Sequence, residues 1–201
     1  MEFRRLPIFA PMKAVWEQEI EECLDCLRRG GVLLYPTDTI WGLGCDPRNA
    51  EAVKNLFELK GRPADKSLIL LAANVGQVNA IVGDIPNAIL PELETARPTT
   101  IVYPSCIPLA PGVAAADGSV AIRIAKDPFC QALAAAYGFP IVSTSANLSG
   151  QAFAGSYADI DRSVIAGADK VVTWRQAERI VAQPSRILKV LDDGKVQLIR
   201  P

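Results

Sequence analysis

The chain has 201 residues, 50% apolar and 21% charged, which suits one folded domain spanning 1–201 with a sizeable core and excludes a disordered chain. Lys plus Arg (21) nearly balances Asp plus Glu (22), so no overall basic field advertises nucleic acid, and any RNA contact is expected to be local and weak. No run reaches the roughly 18 apolar residues of a membrane span, and "MEFRRLPIFAPMK" lacks the apolar core of a secretion signal, so a cytoplasmic place is expected.

Residues 14–29 predict an amphipathic helix, with Trp16, Ile20, Leu24 and Leu27 at helical spacing and Gly30-Gly31 as the stop. Cys23 and Cys26 fall inside it. Without a second Cys-x-x-Cys and without histidine they read as small buried apolar residues, and five irregularly spaced cysteines argue against a disulfide framework. "VLLYP" is a short strand ended by Pro36. Asp46-Pro47 predicts a helix start, Asp as cap and Pro in the first turn, running to about Lys60 with Val53, Leu56, Phe57 and Lys60 on one side. "SLILLA" is a strand, and a helical or looped region follows to about residue 96. "TTIVYP" and "SVAIRI" are strands around a Pro-stiffened loop, "PSCIPLAP", for which a lid is the alternative role. Asp127-Pro128 starts a helix that Gly138 closes, and "PIVS" is the strand after it. A helix over 157–166, the strand "KVVT" and strands near 185–191 and 195–200 complete the chain. Helices alternate with strands throughout, which predicts an α/β fold with a mixed sheet.

The absence of histidine removes Ser-His and Cys-His nucleophilic pairs together with histidine metal sites. Chemistry would then rest on positioning, on electrostatics, and on Lys, Asp and Glu as proton carriers. Four stretches offer such groups. "YPTDT" ends a strand with two hydroxyls and a carboxylate, either a pocket rim or a plain capped turn. Lys60-Gly61-Arg62-Pro63, with Lys66 beyond, gathers three cations on a constrained turn, either to hold a polyphosphate or as a solvated cluster. "STSANLSG" sets Ser143, Ser145 and Asn147 on one side of an extended stretch, fit to line a phosphate or carboxylate, or a simple polar loop. Arg123 alternates with Ala121 and Ala125 in an apolar strand, and is either edge-exposed or buried against an anion. No phosphate-binding GxxxxGK[ST] and no GxGxxG is present.

Together these motifs resemble the threonylcarbamoyl-AMP synthase (YrdC-like) family over nearly the whole chain. The resemblance is carried by "YPTDTIWGLGCDP", "LFELKGRPADKSLILLAAN", "VAIRIAKDPFCQALAAAYGFPIVSTSANLSG" and "QPSRILKVLDDGKVQLIRP", with Lys60-x-Arg62 and Ser145-x-Asn147 as its hallmark. It implies a twisted open α/β sheet around a large cationic cavity. It also implies a nucleotidyltransferase that joins L-threonine, bicarbonate and ATP, with Mg2+, into threonylcarbamoyl-AMP and pyrophosphate. Partner proteins would then transfer the threonylcarbamoyl group to a tRNA adenosine beside the anticodon. Carried over, Lys60, Arg62 and Lys66 would act on the triphosphate, and Ser119, Ser145, Asn147 and Arg200 would complete the nucleotide site. Thr37, Thr39, Arg123, Ser143 and Ser185 would hold threonine, with Arg123 on its carboxylate and Asp38 as a candidate acceptor for the amine proton. No side-chain metal ligand follows from the resemblance. The chain departs from the family at "ARPTT", where Trp-Pro-Gly-Pro is common, and at Arg186, where Thr is common. An RNA-binding module on the same fold, double-stranded RNA included, and a paralogue acting on another amine are the alternative readings.

Overall fold

The computed structural model describes residues 12–62, 67–179, 184–191 and 193–201, the first five of these by backbone alone. Lys66 and the amino-terminal stretch 1–11 lie outside the described residues. Six α-helices are present among the described residues: α1 (Met12–Arg28), α2 (Ala50–Lys60), α3 (Val75–Val82), α4 (Leu90–Glu94), α5 (Pro128–Tyr137) and α6 (Arg162–Gly167). The strands are β1 (Leu33–Tyr35), β2 (Gly42–Gly44), β3 (Ile69–Ala72), β4 (Thr99–Tyr103), β5 (Val120–Ile124), β6 (Ile141–Ser145), β7 (Lys170–Val171), β8 (Arg186–Val190) and β9 (Val196–Arg200). They form one mixed sheet in the order β7-β1-β2-β6-β3-β5-β4-β8-β9, parallel at β1/β7, β3/β5 and β4/β8 and antiparallel elsewhere.

Helix α5 forms where the sequence predicts it. Asp127 accepts from the Cys130 amide at 3.1 Å, Pro128 enters the first turn, and Gly138 ends the helix in the left-handed region. The start of α2 differs. Asp46 turns back onto the Arg48 amide at 2.9 Å and Asn49 is the cap, accepting from Glu51 and Ala52. An Asx turn satisfies Asp46 before any helix begins, so the cap moves three residues on. The helix expected over 157–166 is likewise split: Ser156 and Asp159 cap a single 3-10 turn, and Asp161 caps α6 anew.

Alternation along the strands sorts side chains into two layers. Leu33, Tyr35, Leu71 and Ile141 pack beneath α1 and α5, against Leu24, Leu27, Phe129 and Leu133. Leu34, Leu43, Leu70, Ile101, Ile122 and Val142 pack on the opposite face, against Val53 and Leu56 of α2, Val78 and Ile81 of α3, and Val164 of α6. Strand β2 is not foreseen by the sequence pattern, since two of its three residues are glycine. Its position depends on Gly44: a Cβ there would stand 2.6 Å from the Val142 carbonyl oxygen and 2.8 Å from the Tyr35 ring. Gly44→Ala is therefore expected to cost about 1–3 kcal/mol by overpacking, read as a fall in denaturation midpoint with unchanged m-value.

Candidate active site

Helices α1 and α5 cover only part of that face. Two residues along each strand from that core, the same face becomes the floor of a cavity of about 420 Å3 with no helix residue in its lining. Leu71 is in the core and Ile69 in the cavity; Ile141 is in the core and Ser143 and Ser145 in the cavity. Strand register then assembles the floor. Ser143, Ile69, Ala121 and Val102 lie in one cross-strand row, and Arg123, Thr100, Ile187 and Arg200 in the next. Gly42 and Ala121 contribute almost no side chain, which leaves the volume open. The described lining carries three arginines, eight hydroxyl residues and no carboxylate. Such a hollow attracts anions and offers many hydrogen-bond donors to orient them.

All five residues expected around threonine line this cavity: Thr37, Thr39, Arg123, Ser143 and Ser185. The Thr37 hydroxyl lies 3.0 Å from that of Thr39 and donates to the Ile40 carbonyl at 2.7 Å. Ser185 and Thr100 share a hydroxyl contact at 2.7 Å. Arg123 is nearly fully buried and ion-paired to Asp38, whose second oxygen accepts the Lys126 amide at 3.2 Å. A carboxylate entering here would meet a guanidinium already engaged on one side. Asp38 itself lines an adjoining cavity rather than this one, so the pairing with Arg123 sets it apart from the expected proton acceptor.

The residues expected around the nucleotide divide. Arg62, Ser145 and Arg200 line the cavity. Gly61 adopts φ 55, and the Arg62 amide closes the end of α2 on the Phe57 carbonyl at 2.9 Å, so the guanidinium leaves a fixed backbone; it donates to Ser67 O at 2.8 Å. Arg200 donates twice to the Ser185 carbonyl, at 3.0 and 2.6 Å, and burial pulls its pKa below the ordinary value. Lys60 takes another position. It is fully buried outside the cavity lining, and its ammonium donates to the carbonyls of Ser145 and, at 2.8 Å, Asn147. Burial, then the nearby Arg62 charge, pushes its pKa down to about 8. Lys60 thus binds the second hallmark loop rather than facing the hollow. Ser119 is also turned away, its hydroxyl donating to Asp117 at 2.6 Å. Asn147 gives its amide to the Leu148 and Gln151 carbonyls at 3.0 and 2.8 Å and stands behind the wall. Both hallmark stretches nevertheless meet, since Ser149 N also donates to Lys60 O at 2.8 Å.

Sequence reasoning missed Thr100, Ser67, Thr144 and Phe153, which share the lining. For Thr100 the signal was present: in "TTIVYP" period two places it on one face with Val102, and register sets it beside Arg123.

Comparison with known proteins decides the family. The Sua5/YciO/YrdC family model, described as telomere recombination, matches residues 25–201. The chain belongs to that family. It is 38% identical to a threonylcarbamoyl-AMP synthase of Saccharophagus degradans over 146 residues, 72% of this chain and 76% of the relative. It is 36% identical to a threonylcarbamoyl-AMP synthase of Xanthomonas euvesicatoria over 179 residues, 84% and 91% of the two chains. Among solved structures, Sua5 of P. abyssi complexed with L-threonine aligns at TM-score 0.76 and 26% identity, covering 92% of this chain and 54% of Sua5. YciO of E. coli aligns at TM-score 0.77 and 21% identity, covering 92% and 89%, which supports the fold alone. The mixed sheet with flanking helices is therefore the family's fold.

Proposed function

We propose that this chain is an enzyme, a nucleotidyltransferase that makes L-threonylcarbamoyl-AMP from L-threonine, bicarbonate and ATP and releases pyrophosphate. The supporting observation is one hollow, without a carboxylate in its described lining, with hydroxyls at its Thr37–Thr39 end and arginines along its floor. Close relatives carry the synthase name, and the Sua5 relative is described with L-threonine bound.

The chemistry suits a site without histidine. Threonine's neutral amine adds to the bicarbonate carbon and water leaves, giving a carbamate. A carbamate oxygen then attacks the α-phosphorus of ATP, and the bond to the β-phosphate oxygen breaks to release pyrophosphate. The protein must hold nucleophile and leaving group in line and neutralise the negative charge. Arg62 and Arg200 supply charge at the nucleotide; Thr37, Thr39, Ser143 and Ser185 orient the amino acid; Lys66, four residues after Arg62 in the sequence, would add a further charge to the triphosphate. Magnesium would enter on the phosphates of the ATP substrate. The reactive product would pass to partner proteins that modify tRNA, in the cytoplasm; the five free cysteines suit a reducing compartment.

The test is pyrophosphate release from protein mixed with MgATP, bicarbonate and each amino acid in turn. Release that requires both bicarbonate and L-threonine is expected. Release independent of threonine, or greater with another amino acid, would overturn the substrate assignment. The recessed position of the arginines fits a small molecule better than an RNA backbone.

A further inference from the structure

Residues 36–40 form a thin wall between two hollows. On one side is the cavity just described. On the other is a second of about 330 Å3, into which Asp38, Trp41 and Arg175 face; Thr37, Thr39 and Ile40 border both. A segment with open space on each side lacks the close packing that fixes a core residue, so directional bonds must fix it. Three successive residues of the wall are tied down. The Pro36 carbonyl accepts from Cys130 Sγ at 3.3 Å, the Thr37 carbonyl accepts from Arg175 Nη1 at 3.2 Å, and the Asp38 carboxylate accepts from Arg123 and the Lys126 amide. Thr37 is the residue that orders the Thr39 hydroxyl, so the anchor on its carbonyl sets where both hydroxyls stand.

Arg175 is itself unusual. Among the described residues it is the one non-glycine with positive φ, at 66. A side-chain-bearing residue pays for the left-handed region, where glycine would sit freely, so the position keeps arginine for its guanidinium. That group is mostly buried and held from two more directions: Nη1 donates to Asp127 at 3.0 Å, and Nε donates to Glu178 at 2.6 Å. Asp127 is in turn the cap of α5, the helix that carries Cys130. The fork therefore couples the wall to a rigid element.

We propose that Arg175 is a positioning residue for the amino-acid end of the cavity, holding the Thr37–Thr39 wall through the Thr37 carbonyl. The proposal rests on the function proposed above, and its test separates the two. Arg175→Gly removes the guanidinium while relieving the backbone, and Arg175→Lys keeps charge without the fork. On ligand-free protein, amide exchange over 36–41 should quicken in Arg175→Gly relative to wild type while the core of α5 stays protected. In the pyrophosphate assay, the KM for threonine should rise about tenfold, the effect of one charge-assisted hydrogen bond, with the KM for ATP within about twofold. Methylguanidinium, admitted through the second hollow, should restore part of the lost affinity in Arg175→Gly and none in wild type. Unchanged exchange over 36–41, or an equal rise in KM for threonine and ATP, would overturn the proposal. Should wild type show no threonine-dependent release, the functional reading falls and the exchange arm still decides the role of Arg175.

Discussion

Arg62→Ala is expected to lower threonine-dependent pyrophosphate release by about two to three orders of magnitude in kcat/KM, the effect of losing one preorganised charge donor worth about 2.7–4 kcal/mol. The argument begins at the backbone. Gly61 takes the left-handed turn at the end of α2, the Arg62 amide closes that turn on Phe57, and Ser67 O receives the guanidinium at 2.8 Å. The donor fork is therefore aimed before any ligand arrives, and little ordering entropy opposes its use. It lines a hollow whose described lining holds no carboxylate, a setting that favours an anionic ligand. The partition of the loss reports what Arg62 touches. If it neutralises charge that grows on the leaving pyrophosphate, kcat falls; if it grips the ground-state triphosphate equally, only the KM for ATP rises. Arg62→Lys should fall between, since a lysine supplies charge without the bidentate fork. Release by Arg62→Ala within about threefold of wild type would remove Arg62 from the reaction.

What was legible in the sequence follows from how local each signal is. Helix α5 was readable at both ends because Asp127-Pro128 and Gly138 act on their own neighbours. The face of Arg123 was readable because period two is a property of the strand alone, and Ala121 and Ala125 do lie on its side of the sheet. The five residues expected around threonine line one cavity because strand register brings Arg123 and Ser143 beside the segments that follow β1 and precede β8, so Thr37, Thr39 and Ser185 join them. The cap of α2 was misplaced because Asp46 and Asn49 compete as side-chain acceptors three residues apart, and an Asx turn at Asp46 wins. Strand β2 escaped because its fit depends on Val142 and Tyr35, about which Gly42-Leu43-Gly44 says nothing by itself. Lys60 was the hardest to place. A cation two residues from Arg62 reads as a second phosphate ligand, and only the packed fold shows its chain running inward to carbonyls more than eighty residues away.

Lys60→Met tests that placement and should cost about 3 kcal/mol of stability, or a Tm lower by about 6–12 °C for a chain of this size. Methionine fills nearly the same space, so the loss is that of the donors: two buried carbonyls, Ser145 O and Asn147 O, are left without the ammonium. These carbonyls flank the loop that presents Ser145 to the cavity, so affinity for ATP should weaken as well, although Lys60 never faces the hollow. The pH dependence gives an independent check. The folded pKa of about 8 lies below the ordinary 10.5, because burial and Arg62 disfavour the charge. Below pH 8 both folded and unfolded lysine are protonated and the fold carries the full cost of that charge. Between about 8 and 10.5 the unfolded chain binds more protons than the folded one, so this group adds stability as pH rises. The neutral amine keeps two N–H donors for the same two carbonyls, so the loop stays tied while the charge penalty disappears. The Tm gap between wild type and Lys60→Met should accordingly widen from pH 8 towards pH 10, whereas a lysine bound to phosphate through its charge would lose its effect over the same range, and a gap that narrows would place the ammonium in the cavity after all.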